Sequence, residues 1–334
     1  MILDKIRRKK KLHWGVAGCG KFTETSLLPA LNLIRRAKLE AVYSSNLSRA
    51  RFIAEKAGAK YATSDFSEFL KSGIDAVYIA GANSDHYHQV LAAAKAGKHI
   101  LCEKPLSITS AEAEEMVDAC RKSGSKLAMS YVYRFHPLIT KLKELVDNHV
   151  IGRIISIRAE CNFLLADRDN FRYNKKLAGG GAIRDVGTHM IDLCRYIGGE
   201  LYPLNAVSDN LVFKGDVEDF FAGTLRTQGG GYTFFQVSYS TPKASNRIEV
   251  IGSKGTIYID NLVASRFASA KMTILIDGEV KKAFRKRANK FLRLFKSVND
   301  SFLRGEEPLV TGTDGLVNMK LMEQLEQLCP PQLK

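Results

Sequence analysis

Leu12-His13-Trp14-Gly15-Val16-Ala17-Gly18-Cys19-Gly20-Lys21-Phe22-Thr23 is the stretch on which the fold turns. A short apolar run over 12–17 predicts a strand, and the glycines that close it predict a tight turn into a helix. Glycine lets the backbone approach a pyrophosphate closely, and the anion then sits at the positive end of the helix. Gly18, Gly20, Lys21 and Phe22 are therefore candidate cofactor contacts. Thr23 stands where a third glycine or alanine is usual. The alternative is an ordinary glycine turn, so the surroundings decide.

Outward from that stretch, short apolar runs alternate with longer amphipathic ones as far as residue 131. Strands are predicted over 12–17, 39–43, 76–80, 99–102 and 126–132, with helices over 49–57, 89–96 and 111–121. Gly58, Gly97 and Gly124 follow those helices where a left-handed cap belongs. This is the pattern of repeated βα units around a parallel, doubly wound sheet. After a helical stretch over 138–148 the texture changes. Strand-like runs over 154–161, 220–226, 232–239, 248–251, 256–259 and 272–276, parted by glycine turns, predict a large, mostly antiparallel open sheet with helices on one face. The expected division is a Rossmann dinucleotide-binding domain over 1–130 and an α+β domain for substrate binding and oligomerisation over 131–334. The last helix is expected over 313–328.

The 334 residues suit two domains, and 45% apolar with 25% charged residues is ordinary globular composition. Six scattered cysteines, Cys19, Cys102, Cys120, Cys161, Cys194 and Cys329, contain no C-x-x-C pair, which argues against a disulfide framework or a zinc site and fits a reducing cytoplasm. No apolar run is long enough to span a bilayer, and the basic start lacks a secretory apolar region. The formal net charge of +15 is concentrated in two places, residues 1–11 at +5 and residues 281–296 at +8. An anion or membrane-surface patch is one reading. A solvated tail plus the polar face of a helix is the other, and it is preferred because Phe284, Phe291, Leu292, Leu294 and Phe295 give the second segment an apolar side.

At the end of the second strand an NAD site normally carries an acid for the ribose hydroxyls; here stand Ser44, Ser45 and Asn46, with Arg49 one turn on. Hydroxyl, amide and guanidinium donors suit a 2′-phosphate, so NADP(H) is favoured, with NAD(H) the alternative. Ser45 and Ser48 as simple helix caps is the competing account.

Three further groups of residues carry a specific resemblance: Asn83 with His86 after the strand over 76–80; Glu103-Lys104-Pro105 after the strand over 99–102; and Gly179-Gly180-Gly181 leading to Asp185 and His189. With the opening glycine turn and Glu249-Val250-Ile251-Gly252-Ser253-Lys254-Gly255-Thr256, they are ordered as in the glucose-fructose oxidoreductase, inositol dehydrogenase and rhizopine-catabolism (Gfo/Idh/MocA) family, which the chain resembles over essentially its whole length. Thr23, and Gly81-Ala82 in place of a common Thr-Pro, depart from the family pattern. Val217-Glu218-Asp219 and Ser240-Thr241-Pro242-Lys243 look most like its anhydrofructose reductase and glucose-fructose oxidoreductase side.

The resemblance implies hydride transfer between nicotinamide and a secondary alcohol or ketone of a sugar, cyclitol or related polyol. Lys104 would polarise the substrate oxygen, with the Lys104-Pro105 bond cis. Asp185 and His189, four apart, share a helical face. His189 would exchange the proton, and Asp185 would orient it or grip a hydroxyl. Asn83, His86, Glu103 and Lys104 join the cofactor set. Asp192 is either a second hydroxyl ligand or solvated, Tyr133, Arg134, Asn162, Arg172 and Tyr173 are possible pocket residues, and His88 is expected to face solvent. The expected partners are a small sugar or polyol and further copies of the chain as a dimer or tetramer, with no metal, nucleic acid or membrane. The rivals are a nucleotide-sugar dehydrogenase of the same family, a non-catalytic NADP-binding regulator, and a surface-binding protein using 281–296.

Overall fold

A computed structural model of the chain describes residues 11–165, 170–213, 215–241, 246–263 and 268–330. The basic stretch 1–10, Pro242-Lys243 and Pro331 lie outside the described residues. Two compact units result, and they do not divide at one cut near residue 130. The first holds described residues up to 106 with 111–130 and 291–313; the second holds 107–110, 131–290 and the chain from 314.

The first unit is a six-stranded parallel sheet of β1 (Leu12–Ala17), β2 (Ala37–Tyr43), β3 (Tyr61–Thr63), β4 (Ala76–Ile79), β5 (His99–Cys102) and β6 (Leu127–Met129), in the order β3-β2-β1-β4-β5-β6. Every residue of β4 is buried, as expected of a central strand covered on both faces. The short β3, absent from the sequence-based reading, adds the outer edge beyond β2. Gly58, Gly97 and Gly124 take φ of +67°, +68° and +73°, the left-handed caps their positions predicted. One covering helix comes from far along the chain. Lys290–Arg304 buries Phe291, Leu294, Phe295, Val298 and Phe302, a helical stripe. The Trp14 ring lies 4.5 Å from that of Phe295, and its indole N–H donates to Asn299 Oδ1 at 3.0 Å.

The second unit is built on an eight-stranded sheet. Its strands are β7 (Ile154–Asn162), β8 (Leu201–Asp209), β9 (Phe220–Thr227), β10 (Tyr232–Ser238), β11 (Asn246–Gly252), β12 (Gly255–Asp260), β13 (Ala270–Ile276) and β14 (Glu279–Lys286), in the order β14-β13-β12-β11-β7-β10-β9-β8. Only β7 and β10 are parallel neighbours; the other pairings are antiparallel. The helix Thr188–Gly198 lies against β7, β8 and β10 on one face. On the strands, residues alternate inward and outward, and Tyr202, Val207, Tyr232 and Phe234 remain exposed.

The segment 281–296 corrects the expectation of one helix. Its first half is β14, an edge strand in which Phe284 pairs with Met272 and lysines and arginines face solvent. A charged edge strand blocks further strand pairing. The helix begins only at Lys290, and Arg293 and Lys296 lie on its exposed side.

Candidate active site

The glycine turn is glycine-dependent at one residue and open at another. Gly18 has φ +109°, and a Cβ there would lie 2.5 Å from the Ala80 carbonyl carbon, so no side chain fits. A Cβ on Gly20 would meet nothing within 4 Å, which leaves open space before the helix that starts at Lys21. That combination of bare backbone, open space and helix start fits a dinucleotide pyrophosphate. Thr23, buried in the π-helical turn Thr23–Leu27, donates its hydroxyl to the Gly18 carbonyl at 2.7 Å. The departure from the glycine pattern therefore braces the turn.

At the end of β2, Ser44 Oγ accepts the Asn46 N–H at 3.2 Å, and the Asn46 side chain caps the next helix by accepting the Arg49 N–H at 3.0 Å. The cap is thus Asn46 and not Ser45 or Ser48 as the competing account had it, and Ser45 is exposed. Arg49 is already engaged. Its Nε donates to the Cys19 carbonyl at 2.9 Å, and its Nη2 pairs with Glu24 at 2.7 Å. Lys56 also reaches Glu24, at 2.6 Å, and bonds from Lys56 and then Arg49 hold that carboxyl below its ordinary range. β2 ends without an acid, yet the first helix delivers one beside Arg49. Sequence spacing gave no sign of it, because Glu24 and Arg49 lie 25 residues apart in the chain.

The turn after β5 carries Glu103, Lys104 and a cis Lys104–Pro105 bond. The Tyr78 hydroxyl donates to Glu103 Oε1 at 2.5 Å, and the Lys104 N–H donates to Glu103 Oε2 at 3.2 Å. Lys104 is half-buried, and Asn83 opens the helix Asn83–Lys95. His86, one turn later, is fully buried with Nδ1 2.9 Å from the Pro105 carbonyl oxygen. Desolvation pushes its pKa down, so the ring is neutral and Nδ1 carries the proton. His88 is exposed, as expected.

In the second unit, Gly179–Gly181 leads into the Asp185 and His189 segment. Glu218 accepts the Gly181 N–H at 2.9 Å and the Ile183 N–H at 3.0 Å, and the Tyr239 hydroxyl donates to the Gly181 carbonyl at 3.1 Å. A Cβ on Gly181 would lie 1.9 Å from the Glu218 carbonyl oxygen, so this packing requires glycine. Asp185 falls in a π-helical turn, Ile183–Gly187, that continues into the helix bearing His189. Arg172 Nε lies 3.1 Å from Asp185 Oδ1. His189 is 8% exposed and meets the Tyr133 ring edge-on at 4.7 Å. Lys290 lies over that same Tyr133 ring at 5.1 Å, and burial pulls its ammonium down to about 8.

Asp192 is neither solvated nor free to hold a hydroxyl. It is buried at 1% exposure and takes both Nε and Nη2 of Arg134, at 2.9 and 2.6 Å, with Asn318 Nδ2 at 3.2 Å. Arg134, a possible pocket residue by sequence, is the other half of that buried pair and also meets Asp314 at 3.0 Å. Asn162 is buried, and Tyr173 donates its hydroxyl to the Leu165 carbonyl. Sequence reasoning missed Tyr78, Glu24 and Lys290, and gave Glu218 no role. Each acts through a partner distant in the chain. Among the described residues no group of three or more His, Cys, Asp or Glu side chains is placed to hold a metal ion, and no helix is long and apolar enough to cross a membrane.

A strand order of 3-2-1-4-5-6 with a glycine turn after the first strand defines a dinucleotide-dependent enzyme of the Rossmann class. The chain belongs to the Gfo/Idh/MocA family. The family's oxidoreductase domain with NAD-binding Rossmann fold matches residues 12–131, and its C-terminal domain matches 139–258. Oxidoreductase P35 of Formosa agariphila is 31% identical over 57% of this chain, which spans 62% of that protein's length. A 1,5-anhydro-D-fructose reductase of Ensifer adhaerens is 27% identical over 91% of this chain and 92% of its own. Among solved structures, aldose-aldose oxidoreductase from Caulobacter crescentus, complexed with glycerol, superposes with a TM-score of 0.87 at 28% identity, covering 96% of this chain and 97% of that one.

Proposed function

We propose that the protein transfers hydride between NADP(H) and a secondary alcohol or ketone of a sugar, cyclitol or related polyol in the cytoplasm. The observation that carries this reading is the Glu103-Lys104-Pro105 turn. It stands at the carboxyl end of β5, where parallel sheets of this kind bind their ligands, and its lysine side chain follows a backbone held by hydrogen bonds. The bound nicotinamide supplies or accepts the hydride. Gly18, Gly20, Lys21 and Phe22 hold the pyrophosphate; Ser44, Ser45, Asn46 and Arg49 meet the adenosine ribose; and Asn83 and Glu103 serve the nicotinamide end.

In the reductive direction Lys104 polarises the carbonyl oxygen and stabilises the negative charge that grows on it as hydride arrives. His189 gives that oxygen its proton and recovers it from solvent; in oxidation it takes the hydroxyl proton before hydride departs. Asp185, with its charge balanced by Arg172, grips a neighbouring hydroxyl. Several relatives are named for sugar or polyol substrates, which supports this substrate class. The preference for NADP(H) rests on the missing acid at the end of β2 and on the cations Arg49 and Lys56. The outward face of the second sheet has a hollow of about 490 Å³ flanked by Val207 and Phe234. Burying that face, where Val207 and Phe234 stand exposed among charged residues such as Arg158 and Glu249, against a second copy makes a homodimer or homotetramer the expected assembly.

The test is Lys104→Ala. Screening sugars and keto-sugars with NADP⁺ and NADPH identifies a substrate, and the variant is expected to lose most turnover while keeping its affinity for NADPH. Full turnover in the variant overturns the role given to Lys104. Failure of the unaltered protein to bind either NADPH or NADH overturns the assignment itself.

A further inference from the structure

We infer that His86 and Tyr78 are positioning residues that hold the Glu103-Lys104-Pro105 turn in one conformation and so fix where Lys104 starts. The inference rests on the reading of Lys104 as the group that polarises substrate. A lysine ammonium rides on four methylenes, so its reach is defined only if its backbone is fixed. Several polar groups of this turn are held from within the first unit. The Glu103 N–H donates to the Ile79 carbonyl at 2.9 Å, the Lys104 N–H goes to the Glu103 carboxylate, and the Pro105 carbonyl takes His86 Nδ1–H at 2.9 Å. Tyr78 closes the set by donating to the other Glu103 oxygen at 2.5 Å. β4, which bears Tyr78, and the helix after it, which bears His86, thereby grip the turn after β5 from two sides.

The state of His86 identifies what its ring contributes. The side chain is 0% exposed, and its Nε2 is a buried atom with no hydrogen-bond partner among the described residues. A buried ring nitrogen without a hydrogen bond is a cost, so imidazole is a poor choice as filler at this place. Its one satisfied nitrogen holds Pro105. Being buried, His86 acts on the reaction through the turn and not by contact with cofactor. Tyr78 is likewise 0% exposed, and its burial, with the Glu103 carboxylate beside it, pushes its pKa well up, so its hydroxyl stays a donor at every working pH.

The experiment compares His86→Asn, His86→Leu and Tyr78→Phe in the full chain. Asparagine keeps a donor near the Nδ1 position, leucine fills the space with none, and phenylalanine removes only the hydroxyl. Two quantities are read: kcat against KM on the substrate found in the sugar screen, and the rate at which an activated acetyl ester labels Lys104, measured by peptide mass spectrometry. His86→Leu and Tyr78→Phe are expected to lower kcat about tenfold, with NADPH affinity within about twofold of the parent. Both should also change the Lys104 labelling rate. His86→Asn should retain severalfold more kcat than His86→Leu even if its melting temperature is lower, because the ring truncation costs packing while the donor remains. Equal kcat and equal labelling in all three folded variants overturns the inference. Should Lys104→Ala keep full turnover, the role of Lys104 falls, and the labelling rates alone still decide whether His86 and Tyr78 hold the turn.

Discussion

Arg172 Nε sits 3.1 Å from Asp185 Oδ1, in a pair where the arginine side chain is 33% exposed and the carboxylate 14%. Asp185 is thus paired with a residue thirteen places back in the chain. Replacing Arg172 by methionine removes that cationic partner. KM for the polyol is expected to rise about tenfold with a smaller fall in kcat, since the loss is one of substrate grip. Steady-state kinetics check it, and a fall in kcat at constant KM would assign Arg172 to the chemical step.

Glu24 is the counter-charge of both Arg49 and Lys56, at 2.7 and 2.6 Å. Glu24→Gln removes the counter-charge from both cations, Arg49 keeping its bond to the Cys19 carbonyl near the end of β2, where a 2′-phosphate would sit. The ratio of NADPH to NADH affinity is expected to rise about fivefold. Fluorescence titration at two salt concentrations reads it, with the gain shrinking at high salt. An unchanged ratio would mean that the 2′-position lies away from Arg49.

The Arg134 and Asp192 pair is 6% and 1% exposed, which makes it a buried ion pair. Arg134→Met strands the Asp192 carboxylate, a change that costs about 3–5 kcal/mol. Urea unfolding followed by circular dichroism should show the midpoint fall accordingly. A loss under about 1 kcal/mol would show that Asp192 finds water or another partner.

Glu40 sets an acid limit on the first unit. Burial opposes its charge, but hydrogen bonds from Lys38, Lys60 and His13 outweigh that and bring its carboxyl from 4.5 down to about 2. A lowered folded-state pKa stabilises the fold above the unfolded value, and the contribution fades as pH falls from 4.5 through 2. With partly exposed lysines screening the pair, it amounts to about 1–2 kcal/mol. Thermal melts of Glu40→Gln should lie below the parent at pH 7 and converge with it near the acid end.

The parallel sheet was legible because its cues are local. Apolar runs such as 76–79 alternate with helices closed by Gly58, Gly97 and Gly124, and each cue lies within a few residues of the element it defines. β8 and β14 escaped because they are edges. β8 carries Pro203 and a register shift beside it, and β14 is rich in lysine and arginine, so neither shows the apolar alternation of a half-buried strand. Phe284 was assigned to a helix for the same reason: a basic segment with scattered aromatics fits either period until its neighbour β13 is known.

The sequence by itself determined the family, the parallel Rossmann sheet with its glycine turn, and the candidate residues Lys104, Asp185 and His189, because these are written as short motifs in fixed order. The tertiary structure alone decided what each polar side chain spends its charge on. It committed Arg49 to Glu24, removed Asp192 and Arg134 into a buried pair, and turned His86 toward Pro105. Charge pairing and hydrogen bonding depend on distances of about 3 Å between residues that the chain keeps tens of positions apart, and only the packed fold sets those distances.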